Sequence, residues 1–197
     1  MERPTRGVDR RLSTFFLAIC NNARLSFVLD EMGKSVPVGE HTLKGLNVMI
    51  RANWFAVSPD GAKAIGGLHH YVVNETNLPS TLIHLVFLRV SQINGCAHCI
   101  DIHTRDLLKE GMSVDKAVLV PVWHEAGPLF TEQECAALAW SEEVTRVSET
   151  HASDHAYAAA LAVFGEKDLV DLTLTIAAMN AINRLGVSFR LKPRARS

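Results

Sequence analysis

Apolar residues recur at three- and four-residue spacing along almost the whole chain, and no segment shows a convincing alternation of period two. A strand buries every second residue and a helix every third or fourth, so this pattern admits helices packed on helices and little else. Leu12, Phe15, Phe16, Ile19, Ala23 and Phe27 predict an amphipathic helix over about 10–31, ended by Gly33. Gly33, Pro37, Gly39 and Gly45 mark 33–47 as a linker. Helices are expected over about 46–57, ahead of a Ser58-Pro59-Asp60-Gly61 turn, and from that turn to about 73. Ser80 is placed as the N-cap of the next helix, Asn94-Gly95 as its break, and Gly111 as the end of a helix starting near Cys96. Ser113 and the capping box Thr131-Glu132-Gln133-Glu134 open two more, and a final pair covers about 154–164 and 167–189. The expectation is an all-α domain over 46–197, preceded by an N-terminal helical arm and linker over 1–45.

With 197 residues and 48% of them apolar, the chain can bury a substantial core, which excludes intrinsic disorder. Twenty Lys+Arg against 21 Asp+Glu leave no bulk field to attract nucleic acid or an anionic membrane, and neither is expected as a partner. Apolar runs stay far short of the roughly 20 residues that a membrane span needs. Four cysteines are too sparse for a secreted disulfide scaffold, so a reducing, cytoplasmic setting is expected. Arg3, Arg6, Arg10 and Arg11 before Phe15-Phe16-Leu17-Ala18-Ile19 loosely imitate a signal peptide. Glu2 and Asp9 interrupt it, and Cys20-Asn21-Asn22-Ala23 is a poor cleavage site.

Chemistry concentrates in Asn94-Gly95-Cys96-Ala97-His98-Cys99-Ile100-Asp101-Ile102-His103. A cysteine at a helix start sits over free backbone N–H groups and the positive end of the dipole, which favours its thiolate. Cys99 follows one turn later on the same side, a spacing that permits a disulfide. His103, four residues further, is within reach as base or cation partner for Cys99. The same residues leave a metal reading open: Cys96, Cys99 and His103, with His84 or His98, would make a Cys2His2 set suited to zinc. Two buried cysteines beside a core histidine are the plainest alternative.

The stretch from Leu85-Val86-Phe87-Leu88-Arg89 into Cys96–His103 resembles the carboxymuconolactone decarboxylase superfamily, in its alkylhydroperoxidase D-like branch. The resemblance continues through Trp123-His124-Glu125, from Thr131 to Glu143 and from Asp171 to Phe189, covering roughly 50–190. It implies an all-α bundle assembled into dimers, trimers or hexamers. It also implies that Cys96 and Cys99 are the redox pair, that His103 relays protons, and that His98 has a counterpart in some relatives. The family's glutamate, twelve residues before the first cysteine, is His84 here. An imidazole accepts a proton but supplies no fixed negative charge. No other acid is an obvious replacement, although Asp101 and Glu125 could approach in three dimensions. Of two adjacent imidazoles at least one should be neutral near pH 7, so activity is expected to rise through the imidazole range, roughly 6 to 7.5.

The expected activity is reduction of hydrogen peroxide or small organic hydroperoxides by a homo-oligomer, with no cofactor and no metal. Catalytic candidates are Cys99 as attacking thiolate, Cys96 as resolving thiol, and His103, His84 and His98 around them. An external dithiol protein, dihydrolipoyl or thioredoxin-like, would restore the thiols. A lactone decarboxylase would have no use for the second thiol, and a silent helical oligomer remains the non-enzymatic alternative. Cys135, Cys20 and the three tryptophans read as packing residues, His69-His70, His151 and His155 as surface residues, and the basic residues from Arg190 to Arg196 as a solvated end.

Overall fold

The computed structural model describes residues 50–193 throughout, together with the backbone of two three-residue strands, β1 (Phe27–Leu29) and β2 (Ser35–Pro37). The chain falls into two units, Met1–Val48 and Met49–Ser197. In the first, β1 and β2 pair antiparallel, Val28 opposite Val36 and Phe27 opposite Pro37. The helix expected over 10–31 therefore does not run through Phe27–Leu29, and the expected 33–47 linker contains a strand. Three residues are too few for alternation to show, and Pro37 is tolerated because it ends a two-stranded ribbon. The rest of the expected arm, Cys20 included, and the end of the basic tail lie outside the described residues.

The second unit is all-α, built from helices α1 (Trp54–Val57), α2 (Pro59–Asn74), α3 (Ser80–Asn94), α4 (Ala97–Lys109), α5 (Val114–Leu119), α6 (Glu132–Thr145), α7 (Val147–Thr150) and α8 (Asp154–Ser188). Short 3-10 turns cover Val120–Glu125 and Gly127–Leu129. Punctuation falls close to where the residue types demand it. Gly95 ends α3 at φ 69°, a left-handed conformation that costs a side chain dearly. The Ser113 hydroxyl accepts from Lys116 N at 3.2 Å. Thr131 and Glu134 exchange both bonds of a capping box. Gly165, at φ 70° and ψ 173°, divides α8 into the two helices expected there.

Three boundaries differ from expectation. Of the helix expected over about 46–57, only the turn Trp54–Val57 is helical among the described residues, and 50–53 are not. Pro59-Asp60-Gly61 is the first turn of α2 rather than a loop, because proline at N1 loses no bond the helix needs. The cap position of α3 is Pro79, and Ser80 instead donates its hydroxyl to Glu110 Oε1 at 2.6 Å.

Helix α3 is the central rod. Leu82, Ile83, Leu85, Val86, Phe87, Leu88 and Val90 are all buried, between α4, α6 and α8. A helix apolar on every side belongs in a core, and burial of this kind contributes roughly 1.5–3 kcal/mol per large side chain. Polar ties hold α3 against α8 in register. Asn94 Nδ2 donates to Asn180 Oδ1 and Asn183 Oδ1, both at 3.0 Å, and Asn183 Nδ2 donates to Ser91 Oγ at 3.0 Å. Those bonds fix the end of α3 where α4 begins.

Candidate active site

Cys96 is the N-cap of α4, and Cys99 lies in its first turn. Their Cα atoms are 5.4 Å apart and their sulfurs are joined as a disulfide. Both are almost fully buried, at 2% and 3% exposure. The first turn of α4 carries no acidic side chain and no side-chain cap, so no first-turn carboxylate offsets the positive end of its dipole at the two cysteines. Against the disulfide lies α8 at Gly186, where a Cβ would come 3.0 Å from Cys96 Sγ and 3.8 Å from Cys99 Sγ. Glycine there is what permits so close an approach.

His103 stands further along the same face of α4, at 6% exposure. Its Nδ1 is 3.4 Å from His84 Nδ1, reaching across from α3. Phe87, fully buried, packs against His103 with ring centroids 4.9 Å apart and against His69 at 5.5 Å. Burial pushes the His103 imidazole down to about 3, and the neighbouring His84, His69 and His98 push the same way. Asp106 Oδ2, 3.7 Å from His103 Nδ1, pulls the other way, but its side chain is 39% exposed and solvent screens it. His103 is therefore a neutral imidazole at physiological pH, and a weak base.

The structure brings Cys96 and Cys99 together, and His84 and His103 together. His98 is turned elsewhere: its Nδ1 lies 2.6 Å from the carbonyl of Lys192, so it ties α4 to the chain beyond α8. Of the acids thought able to stand in for the absent glutamate, Asp101 pairs with Arg105 at 2.9 Å. The carboxylates that do approach are Asp106, 3.7 Å from Nδ1 of both His84 and His103, and Glu110, 3.7 Å from His84 Nε2. Sequence reasoning missed both, although Cys99, His103, Asp106 and Glu110 share the four–three–four spacing of one helix face. His69 is also no mere surface residue. It is half-buried against Phe87, and burial, with His84 and His70, lowers its pKa. His70, His151 and His155 are exposed.

Residues 59–143 match the carboxymuconolactone decarboxylase family. An uncharacterised Bacillus subtilis (strain 168) protein, YdfG, is 31% identical over 138 residues, 70% of this chain and 92% of its own. The chain belongs to the carboxymuconolactone decarboxylase family. Its alkylhydroperoxidase D-like branch is supported by the Cys96–Cys99 pair and by a crystal structure of 39% identity and TM-score 0.71. That structure covers 75% of this chain and 99% of its own: an Agrobacterium tumefaciens protein of unknown function named for antioxidant defence of the AhpD type. The debrominase Bmp8, at 19% identity and TM-score 0.62 over 72% of this chain and 75% of its own, shares the fold. Among the described residues no helix is long and apolar enough to cross a membrane.

Proposed function

We propose that this protein is a cytoplasmic, homo-oligomeric thiol peroxidase that reduces hydrogen peroxide or small organic hydroperoxides through a Cys96/Cys99 dithiol–disulfide cycle. The observation that carries the reading is the vicinal pair at an uncapped helix start, one turn from a buried, neutral His103. In the reduced protein the Cys99 proton leaves through the His103–His84 pair toward the rim carboxylates, and the start of α4 stabilises the thiolate; His103, held neutral by burial, passes the proton on and does not keep it. The thiolate attacks one oxygen of ROOH, the O–O bond breaks, and ROH leaves with a proton while Cys99 becomes a sulfenic acid. Cys96 then attacks the Cys99 sulfur, releasing water and closing the disulfide. A dithiol protein, dihydrolipoyl or thioredoxin-like, takes the oxidation in turn and restores both thiols.

His84 occupies the family's glutamate position with carboxylates one step further out, Glu110 at its Nε2 and Asp106 beside its Nδ1. That arrangement supports a relay Glu110–His84–His103–Cys99. It also changes the expected pH dependence. A His103 that stays neutral down to about 3 has no inflection between roughly 6 and 7.5, so any rise in rate there belongs to the thiol or to another group.

One equivalent of peroxide should remove two thiols and lower the intact mass by two hydrogens. Cys99→Ser should abolish disulfide formation, whereas Cys96→Ser should leave a sulfenic acid at Cys99 that a dimedone-type reagent traps. An adduct at Cys96 in the Cys99→Ser variant, with none at Cys99, would reverse the roles. Reduced protein that keeps all its thiols in excess peroxide would end the peroxidase reading.

A further inference from the structure

His84 Nδ1, His103 Nδ1 and Asp106 Oδ2 lie within 4.8 Å of one another, with pair distances of 3.4, 3.7 and 3.7 Å. In a tetrahedral zinc site with bonds of about 2.0–2.1 Å, neighbouring donor atoms stand about 3.3–3.4 Å apart. The three atoms are thus nearly in the positions of three corners of such a tetrahedron. We propose that His84, His103 and Asp106 form a divalent-cation site, best suited to zinc, with one coordination position left open. It differs from the thiol-containing set that the sequence suggested, because it uses neither Cys96 nor Cys99 and persists when they are joined.

Several features of the surroundings suit a cation. Two imidazole nitrogens face one another across 3.4 Å, an arrangement that needs either one shared proton or one shared cation between the lone pairs. Behind His84, Glu110 Oε1 lies 3.7 Å from Nε2 and is itself held by the Ser80 hydroxyl at 2.6 Å. Glu110 stands beyond hydrogen-bond range of Nε2, yet its charge favours the tautomer that carries the N–H there and leaves Nδ1 free. Phe87 walls the site on the core side, and Asp106, at 39% exposure, gives the ion a way in from solvent. Two neutral imidazoles and one carboxylate leave zinc with a single net positive charge, which a fourth, exchangeable ligand such as water or hydroxide can complete. Occupied, the site would take up the nitrogens that a proton relay needs, so zinc would inhibit the peroxidase.

The test needs no thiol chemistry, which separates it from the peroxidase reading. Oxidised full-length protein, stripped with chelator and carrying its disulfide, is titrated with zinc alone by calorimetry. Cobalt serves as a spectroscopic stand-in. One equivalent of zinc should bind, and cobalt should give tetrahedral d–d bands without a sulfur charge-transfer band. Asp106→Asn and His84→Gln should abolish saturable binding. Glu110→Gln should weaken it by about tenfold, as expected for an outer-shell partner. Asp106 is exposed enough that its asparagine variant folds irrespective of the outcome, and circular dichroism establishes that. Zinc binding undiminished in folded Asp106→Asn, binding only after reduction of the disulfide, or no binding to the oxidised wild type would each overturn the proposal.

Discussion

The cluster around His103 and the cluster around Glu142 both gather imidazole, carboxylate and aromatic ring, and they are built in opposite ways. At His103 the imidazole is buried and the carboxylates stand at the rim, Asp106 at 39% and Glu110 at 28% exposure. At Glu142 the carboxylate is the enclosed group and the imidazole, His124, is the exposed one. Arg89 grips Glu142 Oε1 with Nε at 2.9 Å and Nη2 at 2.7 Å, and Trp123 Nε1 donates to the same oxygen at 2.9 Å. Arg146 adds a contact to Oε2 at 3.5 Å, beside an open cleft of about 390 Å³. One cluster keeps a base uncharged, and the other keeps an acid charged. The first suits proton transfer or a cation, whereas the second suits holding α3 to α6.

That contrast makes two acid windows, of which the upper is the larger. His103 is held at about 3 in the folded chain against 6.5 when unfolded, so between those values the unfolded state binds a proton that the native state refuses. Stability therefore falls as pH drops from 6.5 toward 3, by an amount on the order of 4 kcal/mol over the whole interval. His103→Gln should lower stability at neutral pH but flatten this slope, as measured by urea unfolding at roughly pH 4 to 7. Parallel profiles for variant and wild type would show that burial does not control His103.

Glu142 acts lower on the pH scale. Burial alone would raise its carboxyl, but the bonds from Trp123 and Arg89 and the charge of Arg89 outweigh that and hold it below its usual 4.5. Its contribution is complete above about 4.5 and is lost as pH falls through the depressed value. Arg89→Met removes the main partner from an enclosed charge, and should cost about 3 kcal/mol at neutral pH. It should also shrink the acid loss, since the unpaired carboxyl is less depressed. A cost below about 1 kcal/mol would mean that Arg146 and Trp123 suffice without Arg89.

The two regions were unequally legible. The disulfide end could be read because its signals are local: Gly95 ends α3, Cys96 caps α4, and Cys99 and His103 follow on α4. Asp106 and Glu110 continue that face by the same rule, but only the crossing of α3 brings His84 to them. Arg89 and Glu142 are 53 residues apart, and nothing local in either helix says that they meet. Trp123 and Trp140, expected as packing, use their indole N–H groups on Glu142 and Thr173. Only the tertiary arrangement brings those partners within reach. Helix ends were legible wherever a capping side chain or a left-handed glycine sets them, as at Ser113, Thr131, Gly95 and Gly165. They were not where Pro79 takes the cap position and frees Ser80 for Glu110. The strands at Phe27–Leu29 and Ser35–Pro37 were missed because each is shorter than the pattern that would reveal it.

Packing separates the regions as well. At the disulfide end, a side chain at Gly186 would crowd Cys96 Sγ, its Cβ only 3.0 Å away. Gly186→Val should cost about 2 kcal/mol by overpacking, despite valine's better helix propensity. At the Glu142 cleft, exposed Ala139 borders open space, and Ala139→Leu should change stability by less than about 0.5 kcal/mol. Equal costs in chemical denaturation would break the distinction between a closed site and an open one.

The smallest expected effect is the most discriminating. Asp106 lies at the rim, with its nearest ionic partners 3.7 Å away, outside hydrogen-bond range. Neither partner gives it a stabilising charge at neutral pH if both imidazoles are uncharged, and solvent already solvates its exposed carboxylate. Asp106→Asn keeps the shape and removes the charge, so unfolding stability at pH 7 should stay within about 0.5 kcal/mol of wild type. The same exchange at Glu142, Glu142→Gln, strips three donors of their anionic partner inside the bundle and should cost several times more, about 2 kcal/mol. If Asp106→Asn proved as damaging as Glu142→Gln, the Asp106 carboxylate would be paired with a charged imidazole. His84 or His103 would then carry a proton in the resting protein, and the buried base inferred at His103 would already be spent.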